Sequence, residues 1–186
     1  MTDKKTLRHT LLAVRASIGQ AERAMLDSAL CQAIAGHPYF AMADALLIYL
    51  PMRGEPDLTP LLDLANERHV PVYLPRCTGQ DMRFLLYSGQ GSLTQDRFGI
   101  LAPHESAEMA CPTENTLCIL PGLSADKHGV RLGYGGGFYD RFLPHFEGNV
   151  LFPIYEKLLC DTLPREATDF LLDPNDIITE KGMPPC

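Results

Sequence analysis

The sequence predicts an α/β fold. It reads as a single domain over residues 1–186, a mainly parallel sheet flanked by helices in a Rossmann-like three-layer arrangement, with a ligand cleft at the carboxyl ends of the strands. Three observations predict this. First, three short apolar runs each end in Leu-Pro: Ala45-Leu46-Leu47-Ile48-Tyr49-Leu50-Pro51, Val70-Pro71-Val72-Tyr73-Leu74-Pro75 and Leu117-Cys118-Ile119-Leu120-Pro121. Nearly continuous apolar runs of this length suit strands buried on both faces, and proline cannot extend a ladder. Second, a helix separates the first two runs. It has Thr59 as N-cap, Pro60 in its first turn and Leu61, Leu62, Leu64 and Ala65 as its apolar residues. Strand, helix, strand implies a right-handed crossover in a parallel sheet. Third, a glycine cluster follows the last Leu-Pro end, and open α/β sheets bind ligands beyond the carboxyl ends of their strands. The three ends should therefore lie side by side, with Glu55, Arg76 and residues 133–137 around one cleft.

Composition narrows the function. At 186 residues and 46% hydrophobic, one core is the default, and no linker-like composition divides the chain. A net charge of −7 argues against nucleic-acid binding, so positive charge for an anionic ligand must be local. No apolar run approaches the roughly 20 residues of a membrane span. Nothing of signal-peptide type follows Met1-Thr2-Asp3-Lys4-Lys5. The six cysteines form no Cys-x-x-Cys pair, and the apolar settings of Cys31 and Cys118 suggest buried thiols. The expectation is a reduced, cytoplasmic monomer without nucleic-acid or membrane partners.

Along the chain, residues 4–15 read as a helix with Lys4 and Arg8 on one face. That pair is either a solvated surface or a phosphate clamp. Ser17 and Gln20 form a capping box for a second helix with Leu26, Ala29, Leu30, Ala33 and Ile34 as its core stripe, ended by Gly36-His37-Pro38. Residues 81–87 read as a strand, whose Phe84 either stacks on a flat ligand or packs in the core. Residues 88–115 are a long connection of lid type containing Phe98-Gly99-Ile100. A strand over 150–155 and a helical turn over 156–159 follow.

The stretch over residues 117–143 carries the chemistry. After Pro121 comes a polar loop, then Gly133, Gly135, Gly136 and Gly137, four glycines in five positions, then a helix start. Backbone N–H groups at such a junction suit an anion. Arg131 offers a fixed cation with paired donors, and Asp140 a hard oxygen ligand for Mg2+. The alternatives are a flexible turn, and an Asp140 that merely caps its helix. Neither familiar fingerprint fits: no Lys follows the glycines as in a P-loop, and Phe138 stands where the dinucleotide pattern needs its third glycine.

These residues resemble the signature of the 5-formyltetrahydrofolate cyclo-ligase family: Pro121-Gly122-Leu123, Asp126, Gly129, Arg131 to Gly137, then Phe138, Tyr139 and Asp140. Phe138 replaces a tyrosine of the family pattern. The resemblance implies ATP- and Mg2+-dependent conversion of 5-formyltetrahydrofolate to 5,10-methenyltetrahydrofolate. It implies ATP contacts at Lys4, Arg8, Arg131, Gly133, Tyr134, Gly135, Gly136, Gly137, Phe138 and Tyr139, with Arg131 catalytic. It implies folate contacts at Leu50, Met52 and Glu55 and again at Tyr134, Gly135, Gly136, Gly137 and Phe138. Leu163-Pro164-x-Glu166-x-x-Asp169 resembles the family segment whose Asp helps hold Mg2+ beside Asp140; shifted spacing leaves Asp173 and Asp176 as rivals. No nucleophilic Ser or Cys is required, and His128 reads as a loop residue. A non-catalytic nucleotide- or sugar-phosphate-binding regulatory module is the alternative; a sugar-phosphate isomerase is a third reading and would not need ATP.

Overall fold

The computed structural model describes residues 3–96 and 99–182; Phe98 lies outside the described residues. Helix α1 spans Lys4–Ala16, α2 Gln20–Ala35 and α3 Pro38–Met42, and strand β1 is Leu46–Leu47. Helix α4 (Pro60–Glu67), β2 (Val72–Thr78), β3 (Asp81–Leu86), β4 (Leu93–Gln95) and β5 (Leu101–Pro103) follow. The second half holds β6 (Leu117–Ile119), β7 (Ser124–Asp126), β8 (Arg131–Leu132), α5 (Phe138–Phe142), β9 (Asn149–Pro153), β10 (Leu159–Cys160) and β11 (Ile177–Ile178). The main sheet has six strands in the order β11-β9-β6-β1-β2-β3. All its neighbours pair in parallel except β2 with β3.

The apolar runs form the centre of the sheet because they can be buried on both faces, and β9 with Leu151 and Phe152 extends that buried layer. Leu46, Leu47, Leu117, Cys118 and Ile119 are all fully buried. Leu46 is in register with Val72 on one side and Leu117 on the other. The three Leu-Pro strands are therefore adjacent, as expected. Helix α2 packs on α4 and reaches β11, α4 packs on β2, and α5 packs on β3. No helix among the described residues is long and apolar enough to cross a membrane.

Several local expectations are corrected. β2 does not stop at Leu74-Pro75; it runs on to Thr78, with Pro75 opposite Phe84. β1 meets β2 only at Val72 and Tyr73, so Pro75 lies where β2 has a strand on one side, the edge position at which proline is tolerated. Ser17 does not cap α2. Its hydroxyl donates to the Val14 carbonyl at 2.7 Å, and Gly19 is the α2 N-cap. Thr59 gives no side-chain cap because its hydroxyl donates to Asp57 instead, at 2.7 Å. After Gly36 a short helix, α3, starts at once, with the His37 ring accepting from the Tyr39 N–H. The long connection contains a hairpin, β4 with β5.

A smaller sheet, β10-β7-β8, leads into the glycine loop. Its turn is pinned by Asp126, whose buried carboxylate accepts from the N–H groups of His128, Val130 and Leu163. Gly129 has φ +79° and lies so close to Leu172 that a Cβ would sit 2.0 Å from the Leu172 carbonyl oxygen. Gly129→Ala is therefore expected to cost roughly 2 kcal/mol or more, lowering the melting temperature by about 4 °C or more. Thermal denaturation checks this, and an unchanged melting temperature would contradict it.

Candidate active site

The glycine loop leaves β8 and turns into α5 at Gly137, the helix N-cap, which adopts φ +65°. That left-handed step is one glycine adopts without strain. Helix α1 lies against the loop. Arg8 Nε donates to the Gly133 carbonyl at 2.7 Å, and its guanidinium passes Gly135 where a Cβ would already be at 3.4 Å. From the other side Arg141 folds back, donating to the carbonyls of Gly136 at 3.1 Å and Gln80 at 2.7 Å. Its guanidinium also covers the Phe138 ring at 5.2 Å.

Above the loop opens a cleft of about 1030 Å3. Five cationic side chains line it: Lys4, Lys5, Arg8, Arg141 and Arg165. In a chain of net charge −7 this is the local positive region the sequence demanded. Asp140, Glu166 and Asp169 complete the wall, with residues 135–137 as its floor. Both Asp169 oxygens accept from Lys4 Nζ, at 2.8 and 2.7 Å, and one also accepts from the Glu166 N–H. Burial pushes the Asp169 carboxyl up, but the Glu166 amide and the Lys4 ammonium together hold it below its ordinary value.

Asp140 is the third residue of α5 and caps nothing. Its Oδ1 accepts from Arg131 at 3.0 Å and from the Phe170 N–H at 3.4 Å. The residue after Asp169 thus touches Asp140, and the two carboxylates share one wall. Asp173 and Asp176 do not join them. Asp173 accepts from the Asn175 N–H, and both line a separate cavity of about 240 Å3 beside Tyr39 and Phe146. Among the described residues no group of three or more His, Cys, Asp or Glu side chains could hold a metal. Mg2+ needs no such group, since it takes one or two carboxylates together with substrate phosphates and waters.

Arg131 does not sit in the polar loop expected after Pro121. It lies in β8 with its side chain only 4% exposed, donating to Asp140 and, at 3.3 Å, to the Pro121 carbonyl. It stands behind the loop and beneath Tyr139, whose ring centre is 5.7 Å away. Arg76 also lies elsewhere than expected: its guanidinium donates to Thr94 and Pro103 and fastens the β4-β5 hairpin to β2. Phe84 is core, packed on Phe142 and Tyr139. His128 is an exposed loop residue.

The residues expected at the folate form a second group. Glu55 is only 3% exposed, in a turn where Arg53 and Gly54 both have positive φ. Its Oε1 accepts from the Tyr134 hydroxyl at 2.7 Å and its Oε2 from the Met52 N–H at 3.0 Å. Burial pushes the Glu55 carboxyl up, and these two hydrogen bonds oppose the rise. Leu50 and Met52 are half-buried. None of the three lines the large cleft; Tyr134 connects them to the loop.

Sequence reasoning missed Arg15, Arg141 and Arg165. A signal for Arg15 was present, because at 100° per residue it falls on the same face of α1 as Lys4 and Arg8.

The profile of the 5-formyltetrahydrofolate cyclo-ligase family matches residues 1–180. The chain is 32% identical over 144 residues to 5-formyltetrahydrofolate cyclo-ligase of Escherichia coli K12, covering 73% of this chain and 79% of that protein. To the enzyme of that name from Haemophilus influenzae it is 26% identical over 173 residues, covering 89% of this chain and 92% of the relative. Its fold is similar to that of 5,10-methenyltetrahydrofolate synthetase of Aquifex aeolicus, with TM-score 0.83 and 29% identity over 96% of this chain and 90% of the other.

The Tyr139 hydroxyl is buried and finds no hydrogen-bond partner among the described residues. An unpaired buried hydroxyl costs stability rather than adding it. Tyr139→Phe should therefore leave stability unchanged or raise it by up to about 1 kcal/mol in denaturant titration; a clear loss would show that the hydroxyl has a partner in solution.

Proposed function

The chain belongs to the 5-formyltetrahydrofolate cyclo-ligase family, and from that premise we propose the full reaction: 5-formyltetrahydrofolate and ATP, with Mg2+, give 5,10-methenyltetrahydrofolate, ADP and phosphate. The observation that carries the nucleotide half is the cleft itself, a glycine floor under five cations with the carboxylates of Asp140, Glu166 and Asp169 on its wall. The reaction explains the need for ATP. An N-formyl oxygen is a poor leaving group until the γ-phosphoryl is transferred to it. N10 of the folate then attacks the activated carbon, its proton leaves, and the C–O bond breaks to release phosphate. Such transfer asks the protein mainly for positioning and charge neutralisation.

The roles follow from position. The N–H groups of residues 135–137 and the cations Lys4, Arg8, Arg141 and Arg165 receive the phosphates. Asp140 and Asp169 hold Mg2+, which when bound neutralises phosphate charge. Arg131 sets the direction of Asp140 and adds positive charge behind the loop. It is therefore a positioning residue rather than one exposed to the nucleotide. Glu55, Leu50 and Met52 face the pterin, with Tyr134 between the two halves. A regulatory module without turnover would need the anion loop but not this second group.

The test is absorbance at the methenyl-folate band. A rise with 5-formyltetrahydrofolate and Mg·ATP together, and none when ATP is omitted, is the expected result. A rise independent of ATP would refute the proposal. Asp140→Asn should raise the Mg2+ concentration for half-maximal activity about tenfold or more, with some loss of stability because Arg131 loses its charged partner. An unmoved Mg2+ titration would withdraw Asp140 as a ligand. Arg131→Ala should reduce turnover on the order of 100-fold or more and also lower the melting temperature, unlike a true surface substitution; near-parent turnover would remove Arg131 from the mechanism.

A further inference from the structure

Arg15 is an anomaly on α1. It is fully buried, with 0% exposure, yet among the described residues it donates to a carbonyl and a tyrosine oxygen rather than to a carboxylate. Its guanidinium donates to the Gly122 carbonyl at 3.1 Å and to the Tyr134 oxygen at 2.6 Å, and its Nε has no partner among the described residues. A buried charge without direct neutralisation is costly unless something nearby uses it. The nearest use is one bond further on, because the same Tyr134 hydroxyl meets Glu55 Oε1 at 2.7 Å.

The direction of these bonds is fixed by chemistry. Arginine can only donate, so the Tyr134 oxygen must accept from Arg15. The single tyrosine proton is then committed to Glu55. Donation from a guanidinium polarises the hydroxyl and strengthens its bond to a carboxylate. Glu55 uses one lone-pair site on Oε1 for Tyr134 and one on Oε2 for the Met52 N–H. Each oxygen keeps a further site open, the right number for two N–H donors on the edge of a pterin.

The turn that carries Glu55 is braced from the same helices. Arg23 of α2 donates to the Arg15 carbonyl at 3.1 Å, and its guanidinium lies where a Cβ on Gly54 would be only 2.6 Å away. Meanwhile Arg8, two turns before Arg15 on α1, holds Gly133. One helix thus fixes the glycine loop with one arginine and the buried carboxylate with another.

We infer that Arg15 and Tyr134 are a positioning pair for the folate half-reaction, holding the Glu55 carboxylate ionised and oriented so that its free lone pairs meet the donor edge of the pterin. This rests on the reading that Glu55 contacts the folate. Neither residue of the pair need touch the reacting atoms. Their effect is on folate affinity rather than on nucleotide affinity.

The experiment measures separate dissociation constants for 5-formyltetrahydrofolate and for Mg·ADP, by calorimetry, in the parent protein, Tyr134→Phe, Glu55→Gln and the double variant. Tyr134→Phe keeps the ring and removes only the shared hydroxyl, so folding is preserved better than in any Arg15 variant. The expected result is folate binding weakened about tenfold in Tyr134→Phe, Mg·ADP binding within about twofold of the parent, and a double variant little worse than Glu55→Gln alone. Unchanged folate binding in Tyr134→Phe, with Glu55→Gln clearly weakened, would overturn the positioning pair while leaving Glu55 at the folate. Equal weakening of both ligands in Tyr134→Phe would also overturn it, as a merely structural role. Unchanged folate binding in Glu55→Gln would instead remove the reading on which the inference rests.

Discussion

The site depends on the docking of α1 against the glycine loop. Three side chains of this helix reach across more than a hundred residues of sequence: Lys4 to Asp169, Arg8 to Gly133 and Arg15 to Tyr134. Leu11, on the same face, is buried among them. Without this helix the loop backbone would lose a wall, Asp169 its cation and the Glu55 turn its brace. The packing is possible only because the loop presents glycines. At Gly135 the Arg8 guanidinium already sits at van der Waals distance from a hypothetical Cβ, at a backbone angle other residues avoid. Fold and site are therefore joined at one contact surface rather than built separately.

Charge is arranged with the same economy. The chain is acidic overall, yet its cleft collects five cations. Two carboxylates at the wall are each held by a cation, Asp140 by Arg131 and Asp169 by Lys4. Those ion pairs orient the carboxylates on the wall of the cleft, and oxygen ligands of this kind are what a hard divalent cation takes. Asp173, with a rotamer set by its own 3-10 turn, is spent on local structure and stands with Asp176 in a different cavity.

The central strands were legible because burial on both faces writes itself as unbroken apolar sequence, and the adjacent Leu-Pro ends followed from that. The two- and three-residue strands β7, β8, β10 and β11 were not, since periodicity needs a longer window. That gap explains the misplacement of Arg131: the stretch after Pro121 read as a polar loop, whereas β8 buries it. Ser17 and Thr59 misled for another reason. Their hydroxyls had nearer partners, Val14 and Asp57, than the helix ends they were expected to cap. The candidate site was legible at the glycine loop and at Lys4 and Arg8, where residue types in sequence carry the chemistry. Arg15 was passed over because arginine is ordinarily exposed, although its helical phase matched theirs. Arg141 and Arg165 carried no pattern at all; only tertiary structure brings them to the cleft.

The position of the bound nucleotide decides how this cleft works. A structure of the protein with Mg·ADP and 5-formyltetrahydrofolate is the most direct measurement. The expected result is phosphate oxygens within hydrogen-bond distance of the N–H groups of residues 135–137, Mg2+ against Asp140, and the pterin edge on Glu55. A nucleotide bound in the smaller cavity beside Tyr39 and Asp176, or phosphates held away from the glycine loop, would contradict it.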